Sequence, residues 1–483
     1  MRKRVLMVVM TVLLLLCVVG ALYACESYKT SPLATGGEKD AIVESNGGLV
    51  VKQGKYLYFV NGYTGYLTKL GQDNWFGNVT KGAIARVTYN ADGTLNNDVT
   101  IVVPKSVMAS SENVGFSIFG NWIYYVSPGS TEDRSGTVQT DTLQFMRTKL
   151  DGTGTQVILN WDDTSVKYKY TASALVFYDS TNRKLYSKDL SASSFKASKP
   201  GECIAEDVSA VHFIKNETYD PKATGTPLAD YILYTKNSED ALDSSNTLYA
   251  IDPLGKNEPK VVIGADTYND AKYNVSVLAS YAEADGGLSL YYTKTYYITG
   301  ANSGEVVGTY AYRFTNSFDF AATNEVRIAV SSLSSLFPLG YDEGVVQTSG
   351  NAKIYYTDGT DPKVYGELSL STLITVQQNA KGVDSFYFLN GNSILEYYPL
   401  DDASNAHFAY DTQDKFMSGF TGAEYFDGYI YFILDDDYDY MARIKIADID
   451  VYSGKSATIE KVAKYSAEDQ AAIDKAAASE EKK

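Results

Sequence analysis

Asp435, Asp436, Asp437 and Asp439 fall within five consecutive residues, the densest set of carboxylates in the chain. Oxygen-rich loops of this kind can hold a hard cation such as Ca²⁺. The loop lacks the central Gly and the twelfth-position Glu of an EF-hand, and acidic loop tips ordinarily face water. The expectation is therefore no bound cofactor, with Ca²⁺ at these four aspartates as the alternative. Aromatic rings on loops are the second candidate chemistry, because they stack on sugar rings or peptide side chains. Tyr63, Tyr66, Trp75, Phe76 and Tyr438 stand in such stretches, and Trp75, Phe76 and Tyr438 are the ligand-binding candidates.

Catalytic sets are sparse. The chain has only two histidines, His212 and His407, 195 positions apart, and no Gly-x-Ser-x-Gly elbow. A Ser-His-Asp hydrolase and a histidine-based metal site both lack their parts. Residues 130–137, STEDRSGT, have the wrong spacing for a sialidase-type Asp-box, and Gly152-Thr153-Gly154 closes a hairpin without opening a helix. Carboxylates alone suffice for glycoside hydrolysis, so a carboxylate-dependent glycoside hydrolase or lyase is the alternative to a non-catalytic binding protein. The formal charge is −17, and without residues 1–24, which carry Arg2, Lys3 and Arg4 and no acid, it is −20. Phosphate backbones need a basic surface, which excludes nucleic acid as a partner.

The N-terminus says where the chain resides. Met1-Arg2-Lys3-Arg4 precedes an uncharged apolar run from Val5 to Ala24, the layout of a secretory signal. Leu22-Tyr23-Ala24-Cys25 resembles the bacterial lipobox, which implies cleavage after residue 24 and a lipid on Cys25; Tyr23 departs from the usual small residue. The alternative is that residues 5–24 stay as a transmembrane anchor, since twenty apolar residues reach across a bilayer. Both place the body outside the cytoplasm, anchored to the membrane. Residues 25–47 are then a flexible spacer, and residues 466–483 a charged, Ala-rich tail or helix capped by Ser466. Cys17, Cys25 and Cys203 cannot form a disulfide framework.

The body, residues 48–465, must position whatever does the binding. Tyr429-Ile430-Tyr431-Phe432-Ile433 follows Asp427-Gly428, a hairpin turn signal, and is apolar at every position. A strand apolar on both faces must be covered on both faces. The same pair, aromatic at its second position every time and at its first except for Leu233, recurs at Tyr58-Phe59, Tyr124-Tyr125, Phe177-Tyr178, Leu233-Tyr234, Tyr291-Tyr292, Tyr355-Tyr356, Tyr387-Phe388 and Tyr431-Phe432. Alternating strands follow most copies, giving four antiparallel strands per unit and predicting an all-β, eight-bladed β-propeller. The steps between copies are 66, 53, 56, 58, 64, 32 and 44 residues. The 32-residue step leaves little room for four strands, so seven blades result if Tyr355 and Tyr387 share one. Ring closure is expected to pair a strand near Leu49 with strands near Ile459.

Ile354-Tyr355-Tyr356-Thr357-Asp358-Gly359 resembles the YWTD motif of low-density-lipoprotein-receptor-type propellers, with Tyr356 in place of Trp. Weaker echoes stand at Phe177-Tyr178-Asp179 and Leu233-Tyr234-Thr235, and the chain also resembles bacterial lipoproteins carrying propellers of unknown function. In such families the motif is structural and transfers no binding residue. The resemblance implies a scaffold that binds a protein, peptide or carbohydrate on its loop face.

Overall fold

The computed structural model describes residues 36–62, 75–76, 79–80, 82–103, 115–128, 143–163, 165–238, 246–264, 273–296, 308–365, 368, 370, 372–401, 407–409, 423–433, 441–449 and 457–463. Eight antiparallel sheets follow one another along the chain and form a propeller ring. Helix is confined, among the described residues, to three single 3₁₀ turns, Leu228–Asp230, Ala322–Asn324 and Ile446–Asp448. In chain order the first strands of blades 1 to 8 are Val50–Gln53, Ser117–Phe119, Lys167–Tyr170, Val208–Phe213, Tyr273–Ala282, Leu336–Gly340, Thr372–Gln378 and Glu424–Phe426. Each leads into its own second, third and fourth strands.

The second strands show why the aromatic pattern exists. In blade 8, Tyr429, Tyr431 and Ile433 pack into the core shared with blade 1, whereas Ile430 and Phe432 pack into the core shared with blade 7. Successive side chains of a strand point to opposite faces, so a blade wedged between two others needs apolar residues at every position. Blade 4 repeats the arrangement, with Leu233 toward blade 5 and Ile232 and Tyr234 toward blade 3. At the blade 8 hairpin both Asp427 (φ 46°) and Gly428 (φ 80°) have positive φ, the two-residue geometry that the Asp-Gly signal predicts.

Three expectations need correction. Tyr355 does not lie on a second strand: it ends Lys353–Tyr355, the third strand of blade 6, whose second strand, Gly344–Gln347, carries Val345 and Val346 instead of an aromatic pair. The short 32-residue step therefore runs from a third strand to a second one, and Tyr355 and Tyr387 belong to separate blades. Ring closure uses no shared ladder among the described residues, because Glu460–Lys461 pairs only with Ala442–Lys445 of its own blade. Finally, within the stretch expected as spacer, Val43–Glu44 adds a fifth strand to blade 1, beside Val50–Gln53.

Closure rests on side chains. Arg443 on the third strand of blade 8 donates from Nη1 to the Gly93 carbonyl in blade 1 at 2.9 Å, and its guanidinium lies 4.1 Å from the Tyr429 ring centre. Arg147 on the third strand of blade 2 does the same one blade on, donating to the carbonyls of Leu190 (2.7 Å) and Ala192 (2.8 Å) in blade 3 while lying 4.1 Å from the Trp122 ring centre. The joint between last and first blades is thus built like an internal one. Tyr89 donates to Asp427 at 2.6 Å, and Asn61 Oδ1 accepts the Met441 N–H at 3.3 Å, across the same seam.

Candidate functional site

A cavity of about 550 Å³ lies in the channel, walled by the entries to the first strands of blades 1, 2 and 8, the first strand of blade 3 and the end of the first strand of blade 4. Blade 3 supplies its charge. In Lys167–Tyr170 the side chains alternate: Tyr168 and Tyr170 are buried in the core shared with blade 2, and Lys167 and Lys169 fall on the opposite face, toward blade 4, where both line the cavity. Tyr170 fixes this register by donating to the Tyr125 carbonyl at 3.1 Å.

Lys169 is nearly enclosed, its side chain 10% exposed, and it donates to the Ala229 carbonyl with Asp230 Oδ1 3.8 Å away. Burial pulls its pKa down to about 8, against the opposing pull of Asp230. Asp230, on the 3₁₀ turn Leu228–Asp230, also accepts from Asn216 Nδ2 at 3.1 Å. His212 shares a 2.9 Å hydrogen bond between Nε2 and Ser280 Oγ of blade 5. Burial, then the positive charges of Lys169 and Lys167, push its pKa down to about 4, so it is neutral at physiological pH. Lys215, just beyond the blade 4 strand, pairs with Glu217 at 2.5 Å, and both side chains are 57% exposed.

The opposite wall is the entry into blade 1. After Val43–Glu44 the chain turns at Ser45 (φ 56°) and Gly47 (φ 87°) and meets Glu424 of blade 8. One carboxylate oxygen accepts the Ser45 hydroxyl at 2.5 Å, and the other accepts the backbone N–H groups of Leu49 (2.5 Å) and Val50 (3.3 Å). Burial raises the Glu424 pKa above the usual carboxylate range, with Lys215 and the Ser45 hydroxyl opposing. Gly48 is required here, since a Cβ would lie 1.9 Å from the Glu424 carboxylate; one on Gly115 would lie 2.0 Å from the Gly48 carbonyl. Val43 exchanges both backbone hydrogen bonds with Tyr219, at 2.8 and 3.0 Å, so the long connection between the first and second strands of blade 4 reaches across to blade 1.

Replacing Glu424 with Gln exchanges one acceptor oxygen for an amide that faces N–H or O–H donors. The expected loss of stability is about 1–3 kcal/mol, with faster hydrogen exchange at the Leu49 and Val50 amides than elsewhere in blade 1. Unchanged protection of those two amides would show that Glu424 does not hold the entry strand.

Few of the sequence candidates are part of this site. Cys25, Tyr63, Tyr66, Asp435, Asp436, Asp437, Tyr438 and Asp439 lie outside the described residues. Trp75–Phe76 pairs with Val79–Thr80 as a small hairpin inserted between the second and third strands of blade 1, away from the cavity lining. His212 lines the cavity, whereas His407 is on the outer strand of blade 7, its ring 5.5 Å from that of Tyr397. Among the described residues no group of three or more His, Cys, Asp and Glu is placed to hold a metal. Lys167, Lys169 and Lys215 were not legible as a set, although the alternation Lys-Tyr-Lys-Tyr at the start of a repeat marks a strand with one charged face.

The described residues form an eight-bladed β-propeller with a polar cavity among its inner strands. No protein-family model matches the chain, and no curated protein does. Among solved structures it is similar to apo AztD from Citrobacter koseri, at 10% identity over 87% of this chain and 95% of that one, with a TM-score of 0.36. It is also similar to a nidogen/laminin complex chain, at 9% identity over 68% and 90%, TM-score 0.26. The tricorn protease matches at 13% identity and TM-score 0.25, with 80% of this chain spanning 33% of that protein. These likenesses are of repeat architecture alone.

Proposed function

We propose that this protein is an extracytoplasmic binding protein, tethered to the membrane through a lipid on Cys25, whose channel cavity receives a soluble ligand. The observation that carries the reading is the state of the cavity's ionisable groups. Asp230 is occupied by Asn216 and Lys169, Glu424 by Ser45 and two backbone N–H groups, and His212 by Ser280. Satisfied groups of this kind fix the shape of a pocket, whereas a catalytic acid or base has to be able to give or take a proton at the substrate.

The glycoside hydrolase or lyase reading draws on one observation: Asp230 from the connection between the first two strands of blade 4 and Glu424 from blade 8 line the same cavity. Burial also raises the Glu424 pKa, as in a general acid. Its oxygens, however, receive three protein donors, which hold the carboxylate against the entry into blade 1. Incubation of the mature protein with soluble saccharides and peptides should give retention without new reducing ends. Cleavage that disappears in Asp230→Asn or Glu424→Gln would overturn the binding reading. Cys25→Ser should release the protein from membranes or leave an unprocessed precursor; a native protein retaining residues 1–24 uncut would favour the transmembrane anchor.

A further inference from the structure

We propose that the channel cavity takes a small anion bearing carboxylate or phosphate groups, gripped by Lys167, Lys169 and Lys215. This rests on the cavity being the ligand site. The chain as a whole carries a charge of −17, yet these three lysines from blade 3 and the end of the blade 4 strand line one cavity. The lining holds Lys167, Lys169 and Lys215 against two carboxylates, Asp230 and Glu424, a positive formal balance opposite in sign to that of the chain as a whole.

The two lining carboxylates keep their charge, but their oxygens are already committed to protein donors. Both oxygens of Glu424 are taken up by Ser45, Leu49 and Val50, and Asp230 divides its acceptors between Asn216 and Lys169, the latter at 3.8 Å. An ammonium has three donors. Lys169 directs one to the Ala229 carbonyl and faces Asp230 at a distance longer than a hydrogen bond, so it retains a donor for a ligand. Lys215 is held by Glu217, but that pair is more than half exposed on both sides, the kind of ion pair that contributes little and exchanges readily for a better anion. The positive field is felt by His212, which Lys169 and Lys167 help to keep neutral, leaving its ring as an uncharged hydrogen-bonding group at the cavity wall.

Size and lining narrow the ligand. About 550 Å³ suits a dicarboxylate, a sugar acid or a sugar phosphate, and Phe119 and Phe213 provide apolar lining for the body of such a molecule. A polymeric anion would have to approach a strongly acidic exterior.

Calorimetric titration of the mature chain with citrate, glucuronate and inorganic phosphate, with glucose as the neutral comparator, tests this. At least one anion should bind at a single site and glucose should not; the carboxylate and phosphate arms tell which group the lysines prefer. Lys215→Gln, at an exposed position that leaves the melting temperature unchanged, should weaken that binding about tenfold or more, and Lys169→Met, checked for folding by the same melt, should do likewise. Anion binding of equal strength in Lys215→Gln and Lys169→Met would place it elsewhere and overturn the proposal. Binding of neutral saccharides or peptides that is blocked by Phe213→Trp, with no anion binding, would overturn the anion chemistry while leaving the cavity as the ligand site. Absence of any binding, anionic or neutral, would overturn both.

Discussion

Replacing Lys294 with methionine is expected to destabilise the protein by about 3–5 kcal/mol, the range for breaking a buried ion pair from one side. Lys294 is on the second strand of blade 5, and Glu325 stands just before the fourth strand, Val326–Ala329. Their side chains are 0% and 2% exposed. Glu325 Oε2 accepts from Lys294 Nζ at 2.6 Å, and Oε1 accepts from the Tyr292 hydroxyl at 2.6 Å. Four rings enclose the ammonium, with centres at 4.8 Å (Tyr273), 5.0 Å (Tyr310), 5.5 Å (Phe320) and 5.8 Å (Tyr292). Burial lowers the Lys294 pKa, against the pull of the Glu325 charge, so the pair is maintained by mutual neutralisation inside an apolar shell. Methionine fills much of the same volume but strands the Glu325 charge. The double variant Lys294→Met with Glu325→Gln removes that charge and keeps an acceptor for Tyr292, and it should recover most of the loss. Denaturant midpoints of the wild type, the two single variants and the double variant would measure the coupling; additive single effects would show that the pair does not act as a unit.

The second large effect is at the seam. Arg443→Met should cost about 2–3 kcal/mol, since it removes charge-assisted hydrogen bonds from a guanidinium whose side chain is 2% exposed. The value is below the full buried-pair range because Glu460, the partner at 2.8 Å, is 47% exposed and regains water when the arginine goes. The location of the damage distinguishes this variant from others. Hydrogen exchange should accelerate on both sides of the joint, in Ala442–Lys445 of blade 8 and in Ala83–Thr88 of blade 1, while blades 3 to 6 keep their protection. Arg147→Met removes the equivalent staple between blades 2 and 3 and should loosen that interface alone. Equal protection at the seam in Arg443→Met and wild type would mean that the ring is held shut by the shared apolar core, where Tyr58, Phe59, Tyr431 and Met441 meet.

Much of the ring was decided locally. Tyr429-Ile430-Tyr431-Phe432 announces a strand buried on both faces because alternate side chains must face opposite neighbours, and Asp427-Gly428 announces the hairpin because it supplies two positive-φ residues. Such patterns involve residues close in the chain, and seven of the eight aromatic pairs mark second strands. The eighth, Tyr355-Tyr356, misled because Val345-Val346 meets the same demand for apolar faces without an aromatic ring. What only the tertiary structure decided is what the blades do together. Glu424 meets Leu49 across 375 positions, Arg443 meets Gly93 across 350, and the lysines of the cavity come from the wall of a channel built by the first strands of different blades. Local sequence records which residues a strand buries, but the direction in which its remaining charges converge depends on how the sheets are set around the ring.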